Sequence, residues 1–219
     1  MKQYLLLTIF ILTGMWLSAQ IAVIEHVTGN VEIKQPGENT FKNANVGDKL
    51  FQETDILTGF KSFAIIKVGS TTITARPLTH LTLTEIQKMS DVETLDVNLK
   101  TGRVRVEVKP PAGTKAHTTV KGPIVTASVR GTSFEFDTNN LYVNEGTVSF
   151  GGDRGQNILV RAGENSRLDQ SGAVTTPKDE KISSLMPPSP VGTGARDGAV
   201  SVPASVGVNF TIELKYKSQ

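Results

Sequence analysis

Apolar and polar residues alternate with a period of two along most of the chain. The clearest run is RVRVEVK, residues 103–109, in which valines alternate with arginine, glutamate and lysine. Because successive side chains of a β-strand point to opposite faces, this run predicts a strand with one buried and one solvated face. Residues 63–68, FAIIKV, are apolar at nearly every position, which predicts a strand buried on both sides.

Turn signals separate these runs. Glycine, proline, aspartate and asparagine stand between successive runs, as in PGEN at 36–39. We expect a hairpin turn at 139–140, because asparagine tolerates positive φ, and a loop at the polar interval QKMSDVET, 87–94. No sustained helical period of apolar residues occurs over 20–169.

Many short strands with glycine-rich turns predict an all-β fold, built as a sandwich, a barrel or a solenoid. Glycine-centred phrases recur at uneven intervals, so they do not establish the fixed repeat of a strict solenoid. We therefore expect one sandwich- or solenoid-like domain of many short strands over residues 20–175.

The two ends of the chain have a different character from this domain. Residues 1–19 carry one charge, an apolar run and small residues before Gln20, which predicts a secretory signal peptide, with an uncleaved anchor as the alternative. Residues 176–205 are rich in proline, glycine and serine and predict a linker. Residues 206–219 alternate again and predict a final β-strand that docks on the domain, pairs with a partner or serves as a recognition element.

Composition narrows the compartment and the partner. The sequence has no cysteine, so no disulfide stabilises an exported chain, which fits a bacterial envelope protein better than a small eukaryotic secreted module. We expect a periplasmic or extracellular location in a bacterium and no stable membrane span after signal cleavage. The formal net charge of +2 is too small to predict a nucleic-acid partner.

Residues that carry metal or nucleophilic chemistry do not form a recognised motif. His26, His80 and His117 are far apart in the sequence, so we expect no metal and no other cofactor. Ser128 and Ser133 lack the sequence context of a catalytic nucleophile.

Charged side chains offer two further hypotheses. A pair of carboxylates could cleave glycans, and the candidates are Glu107, Glu135, Asp137 and Glu145. Each of these occupies a solvated strand position or a turn, so we assign no catalytic residue. A basic patch could bind an anionic surface, but its members are interleaved with acidic residues and predict a solvated face; they are Arg103, Arg105, Lys109, Lys115 and Lys121.

The stretch VRGTSF, residues 129–134, resembles the most distinctive phrase of the FecR domain family. Further phrases resemble the family's motifs in the same order, and together they cover about residues 28–168. They lie at residues 47–50, 54–59, 63–70, 99–104, 143–148 and 160–164. This ordered set is more specific than any single phrase.

The resemblance implies an all-β extracytoplasmic domain without recognised catalytic residues. In the best-understood members, this domain relays an envelope signal to a sigma factor. No cytoplasmic segment precedes the apolar stretch of this sequence, so we expect a stand-alone exported FecR-domain protein without a sigma-binding part.

The residues that carry the resemblance also have structural explanations. We expect the glycines to supply turn conformations and the aspartates to cap turns. We expect Arg130 to insert its guanidinium under a turn and bind carbonyls or a carboxylate such as Asp48 or Asp55, with ligand binding as the alternative. The residues assigned to this structural motif are Gly47, Asp48, Asp55, Gly59, Arg130, Gly131, Thr132, Glu145, Gly146 and Gly163.

The sequence thus predicts a non-enzymatic, exported β-domain for protein interaction or signal sensing at the bacterial envelope. The expected partner is an envelope or surface protein, and a small-molecule ligand is not expected. The alternatives are a glycan-binding or glycan-cleaving envelope protein and a structural surface subunit.

Overall fold

A computed structural model describes residues 22–152, 157–169 and 172–178. The predicted signal peptide, the final strand and nearly all of the predicted linker lie outside these residues. Within the described residues, no helix is long and apolar enough to cross a membrane.

Seventeen strands account for most of the described chain. They are β1 (Ala22–Thr28), β2 (Val31–Lys34), β3 (Lys42–Asn43), β4 (Lys49–Leu50), β5 (Thr54–Thr58), β6 (Phe63–Val68), β7 (Thr71–Ala75), β8 (His80–Met89), β9 (Val92–Thr101), β10 (Arg103–Val108), β11 (Lys115–Lys121), β12 (Val125–Val129), β13 (Ser133–Asp137), β14 (Asn140–Glu145), β15 (Thr147–Gly152), β16 (Asn157–Arg161) and β17 (Asn165–Arg167). This confirms the predicted all-β class.

The strands form two sheets. Sheet A has eight strands in the order β17-β14-β13-β10-β7-β6-β1-β4, and sheet B has nine in the order β16-β15-β12-β11-β9-β8-β5-β2-β3. Neighbouring strands are antiparallel except for β9 and β11, which are parallel. The chain crosses repeatedly between the sheets. In both sheets, later strands of the chain lie progressively farther from the β3–β4 end and closer to the β16–β17 end. The result is a sandwich whose strands are added in a solenoid-like progression.

Apolar side chains from both sheets meet in one core. In β10 the valines are buried, as the alternation in the sequence predicts. Phe134 and Phe136 of β13 and Phe150 of β15 are fully buried. The rings of Phe136 and Phe150 meet edge to face, with 6.2 Å between centroids. This packing joins the two sheets, because β13 belongs to sheet A and β15 to sheet B.

Two predictions about strands are wrong in detail. β6 is buried on one face only: Ala64, Ile66 and Val68 are buried while the alternate residues are partly exposed, because a two-layer sandwich leaves the outer face of even a central strand open to water. Residues 87–94 form a hairpin end rather than a loop, with a turn at 90–91. Polar side chains that face each other across β8 and β9, such as Lys88 and Glu93, stabilise this end of the hairpin in place of buried apolar residues.

A hairpin turn joins β13 to β14 as predicted, but it lies at 138–139, one residue before the predicted 139–140, because Asn140 already belongs to β14. Neither Asn139 nor Asn140 has positive φ. Instead, the Asp137 carboxylate Oδ1 accepts hydrogen bonds from the backbone amides of Asn139 and Asn140, at 2.9 and 2.8 Å. The side chain of Asp137 therefore caps the turn, a role that aspartate commonly has.

Candidate interaction site

The solvated face of β10 lies at the centre of a ladder of charged side chains on the outer face of sheet A. Arg105 stands opposite Glu135 of β13, and Arg103 stands opposite Asp137. Opposite charges that face each other across neighbouring strands attract, so the ladder also favours this register.

Each carboxylate of the ladder has a basic partner. Glu135 Oε1 lies 3.3 Å from Arg76 Nη2 and 3.9 Å from Arg105 Nη1. Glu107 lies 3.0 Å from Arg105 Nε and 3.2 Å from Lys109 Nζ. The hydrogen bond from Lys109, supported by the charge of Arg105, holds the pKa of the Glu107 carboxyl below its usual range against the opposing effect of burial.

A groove crosses the ladder near one end of the sheet. One part has a volume of about 650 Å³ and lies between the 76–78 loop and the 138–140 turn, with Arg103 and Glu135 on its floor. The adjoining part has a volume of about 270 Å³ and contains Tyr142. The Tyr142 side chain is 46% exposed. The two parts share residues, so they form one continuous depression.

Two buried threonines hold one wall of this groove. The Thr58 hydroxyl donates to the Arg76 carbonyl at 2.6 Å and accepts from the Thr79 amide at 2.9 Å. The Thr79 hydroxyl donates to the Arg103 carbonyl at 3.0 Å and accepts from the Arg103 amide at 3.1 Å. These bonds fix the backbone around Leu78, whose φ is +58°. A non-glycine residue in this region is strained and persists only when its surroundings hold it there.

An apolar pocket lies at the end of the sandwich beside the groove. It has a volume of about 280 Å³, and its lining consists of Asn30, Glu32, Leu57, Thr58, Gly59 and Leu78. Leu78 lines the groove as well and is 59% exposed. Phe60, which follows Gly59 in the chain, is 74% exposed. Leu78 therefore presents a large apolar side chain to solvent where the groove begins.

A second charged cluster lies on the outer face of sheet B. The buried Asp55 carboxylate is contacted by Lys100 Nζ at 2.8 Å, Lys34 Nζ at 3.1 Å, the Thr82 hydroxyl at 2.6 Å and His80 Nε2 at 3.2 Å. Burial by itself raises the pKa of Asp55, but these four contacts outweigh burial and hold the pKa well below its usual range. The cluster connects four adjacent strands, β2, β5, β8 and β9.

Arg130, the centre of the FecR-like phrase, is exposed. The prediction that it lies under a turn and binds Asp48 or Asp55 is wrong. Asp55 has the partners described above, and the Asp48 carboxylate accepts from the amide of Asn45 at 2.8 Å. Across the described ranges, no hydrogen bond or ion pair involves the Arg130 side chain.

We expect Arg130→Ala to change the free energy of unfolding by less than about 0.5 kcal/mol, because the side chain is exposed. Gly131→Ala should cost about 1–2 kcal/mol, because a φ of +78° places any Cβ in the left-handed region. Urea unfolding of both variants measures the difference. A larger loss for Arg130→Ala than for Gly131→Ala would restore the buried-clamp hypothesis.

The other residues of the predicted motif lie mostly in turns and at strand ends. Four of its glycines have positive φ, namely Gly47, Gly131, Gly146 and Gly163. Gly59 does not, and instead donates its amide to the Asn30 carbonyl at 2.8 Å. Thr132 is buried and Glu145 is exposed. Four motif residues nevertheless meet where β13 pairs with β14: a Cβ built on Gly146 would lie 2.5 Å from Thr132 Cγ2 and 3.3 Å from the Gly131 carbonyl oxygen, and Glu145 pairs with Ser133. Gly47, Asp48, Asp55 and Gly59 lie elsewhere in the chain, so the motif as a whole does not form one site.

The residues proposed from the sequence as a basic patch and as a carboxylate pair are divided between the two sheets. Arg103, Arg105 and Lys109 belong to the sheet A side, whereas Lys115 and Lys121 lie on β11 of sheet B, so the five basic residues do not form one patch. Of the candidate carboxylates, Glu107, Glu135 and Asp137 share the outer face of sheet A. Glu145 lies at the exposed end of β14. No group of three metal-binding side chains occurs within the described part of the chain.

Sequence reasoning missed Arg76, Leu78 and Asn140 as members of the site. Arg76 and Leu78 flank a proline just after the end of β7. The sequence of this segment predicts only that a strand ends at the proline. Nothing in the sequence links these residues to Arg103, because the groove depends on strand pairing between distant segments. Tyr142 is one of several aromatic residues that are scattered along the sequence, and the sequence does not show which of them lie close together in the fold.

Comparisons with known proteins leave the family open. No family model matches the chain, and no curated protein matches it. Two crystal structures of a candidate anti-sigma factor from Parabacteroides distasonis are similar to it, each with a TM-score of 0.46 and 14% sequence identity. The similar region covers 55% of this chain and 57% of that chain. A likeness this weak does not establish a common function.

Proposed function

We propose that this chain is a non-enzymatic, exported β-domain of FecR type that binds another protein at the bacterial envelope through the groove on sheet A. The observation that carries the proposal is the charged groove on sheet A, which the exposed side chain of Leu78 borders. Exposed apolar groups next to a charged groove are typical of protein interaction surfaces. The ordered FecR-like phrases and the signal-like residues 1–19 support the family and the compartment.

The carboxylates of the charged ladder favour binding over catalysis. A general acid needs a raised pKa to hold its proton near neutral pH. The pKa of Glu107 is shifted the other way. Glu135 and Asp137 each pair with an arginine, at 3.3 and 3.4 Å. These groups therefore suit recognition better than glycoside cleavage.

A photo-crosslinking amino acid at Tyr142 tests the proposal in the cells that make the protein. We expect a crosslink to one envelope or surface protein, because the side chain at this position faces the groove and solvent. His117, which is exposed on the outer face of sheet B, provides the matched control position and should give no such product. Equal products from both positions, or none from Tyr142, would count against the proposal.

Glycan binding is the second candidate function, and one observation favours it. The exposed Tyr142 ring stands in the same part of the groove as the side-chain amides of Asn140 and Asn165. An aromatic face beside amide groups suits a sugar ring, which has an apolar face and hydroxyl groups. A glycan array that retains the protein, with retention lost in Tyr142→Ala, would support this function instead.

A further inference from the structure

We infer that the groove and the apolar pocket together recognise an acidic polypeptide segment anchored by one apolar side chain. This inference rests on the proposed function and specifies the chemistry of the partner. It draws on three features: unused hydrogen-bond donors, a pocket that opens beside them, and a rigid residue between the two.

Two arginines of the groove, Arg76 and Arg103, have more donors than they use. A guanidinium presents a planar fork of several N–H donors. Within the described residues, the Arg76 guanidinium donates one hydrogen bond, to Glu135 at 3.3 Å, and the Arg103 guanidinium donates one, to Asp137 at 3.4 Å. Their side chains are 43% and 58% exposed. Most of these donors are therefore accessible to a ligand.

The Asp137 carboxylate of the groove already accepts several hydrogen bonds, whereas Glu135 accepts through one of its two oxygens. Asp137 Oδ1 accepts from the amides of Asn139 and Asn140 and from Asn140 Nδ2, while Oδ2 accepts from Asn140 Nδ2 and Arg103. Glu135 Oε1 accepts from Arg76. The spare donors of Arg76 and Arg103 can therefore bind a ligand that supplies acceptors. Carboxylates fit best, because they match the arginine fork in a bidentate geometry.

The apolar pocket explains why the ligand is a polypeptide. At about 280 Å³ it is slightly smaller than the roughly 300–1,000 Å³ of sites for drug-sized ligands, which suits a single apolar side chain. Leu78 lines both the pocket and the groove, so one ligand can contact both. An acidic polysaccharide could supply carboxylates, but it has no aliphatic or aromatic side chain for the pocket.

The dimensions and rigidity of the surface agree with this partner. The groove passes across five neighbouring strands, β7, β10, β13, β14 and β17. At about 4.8 Å per strand this is roughly 19 Å, the length of about six extended residues. Leu78 is held in place by the Thr58 and Thr79 hydrogen bonds, so little ordering is required when a ligand binds.

Labelled synthetic peptides test the inference. The probes have one phenylalanine followed by a run of glutamate, of glutamine or of lysine, together with a glutamate run that lacks phenylalanine. We expect the Phe-Glu peptide to bind the full chain about tenfold more tightly than the Phe-Gln peptide, with an affinity that falls at high salt. The Phe-Lys peptide should not bind.

Variants connect this preference to the groove. Arg76→Gln with Arg103→Gln should remove the discrimination between glutamate and glutamine. The pair Arg130→Gln with Arg161→Gln changes the net charge equally at exposed positions outside the groove and should leave the discrimination intact. Leu78→Ser should weaken every phenylalanine peptide without changing the ratio between glutamate and glutamine.

Equal affinity for glutamate and glutamine peptides overturns the inference, as does a preference for lysine or the absence of measurable binding. A polyuronate that competes better than the Phe-Glu peptide identifies a glycan ligand and also overturns it. The crosslinking experiment separates this failure from a failure of the proposed function. If Tyr142 captures a protein while the peptides do not discriminate, only the partner chemistry is wrong.

Discussion

Replacing Gly102 with alanine is expected to lower the free energy of unfolding by about 3 kcal/mol or more. Gly102 has a φ of +90°, and a Cβ built on it would lie 2.5 Å from the Cα of Thr79 and 2.6 Å from the Leu78 carbonyl oxygen. Both are backbone atoms, so no side-chain rotation relieves the overlap. The cost of the left-handed conformation and the cost of overpacking therefore add.

Gly113→Ala is the matched control for this variant. Gly113 has a φ of +88°, but no atom lies within 4 Å of the position that its new methyl group would occupy. Its substitution should cost only the conformational term, about 1–2 kcal/mol. The difference between the two variants in urea unfolding measures the overlap with the 78–79 backbone. Equal losses would show that this close approach does not contribute.

The same substitution should also damage the groove. Gly102 connects β9 of sheet B to β10 of sheet A, and the 76–79 loop connects β7 of sheet A to β8 of sheet B. The two crossings touch at Thr79. To admit a methyl group, the loop must move, and Arg76 and Leu78 move with it. Under conditions where Gly102→Ala remains folded, we expect it to lose the Tyr142 crosslink while Gly113→Ala keeps it.

The alternation of apolar residues was enough to predict the class of the fold and much of its core. The burial of the β10 valines follows from the period of two in RVRVEV. The positive φ of glycines such as Gly131 and Gly146 follows from their position between runs. These features are local, because the conformation of a strand or a turn depends mainly on the few residues that form it.

The site could not be predicted in the same way, because its geometry depends on register between distant strands. Arg105 meets Glu135 only because β10 pairs with β13, and a shift of one residue would turn these side chains to opposite faces. Leu78 is a further example. Its left-handed backbone runs against the preference of a leucine. It is held by the hydrogen bond from the Leu78 amide to the Gly59 carbonyl and by the bonds of the Thr58 hydroxyl to the Arg76 carbonyl and the Thr79 amide, which tertiary contacts alone provide.

For Arg130, the sequence suggested a buried structural role that the structure does not show. An arginine next to a glycine in a conspicuous phrase favoured a buried clamp, but the exposed arginine leaves the structural role to Gly131 and its φ of +78°. Asp55, which also belongs to a FecR-like phrase, was expected to cap a turn. Its side chain instead joins strands of sheet B, and its partners are separated from it by up to 45 residues in the sequence.

Asp55→Asn is expected to lower the free energy of unfolding by about 2 kcal/mol near neutral pH. The carboxylate is buried and is contacted by Lys34, Lys100, Thr82 and His80. An asparagine preserves the shape but removes the charge that the lysines neutralise. The loss stays moderate because both lysines are partly exposed and can be hydrated again. Asp96→Asn, which removes a carboxylate with one exposed partner, Lys121, should cost less than about 1 kcal/mol.

The pH dependence of stability identifies the charge of Asp55 as the cause. Its pKa is lower in the folded state than in the unfolded chain, so the unfolded state binds the proton more readily. The stability from this group is fully present above the unfolded pKa of about 3.9 and is lost as the pH falls below it. Between neutral pH and the acid range, the wild-type chain should therefore lose its advantage over Asp55→Asn, and the two unfolding curves should converge. A gap between the two that stays constant down to acid pH would mean that the shape of the side chain, and not its charge, joins these four strands.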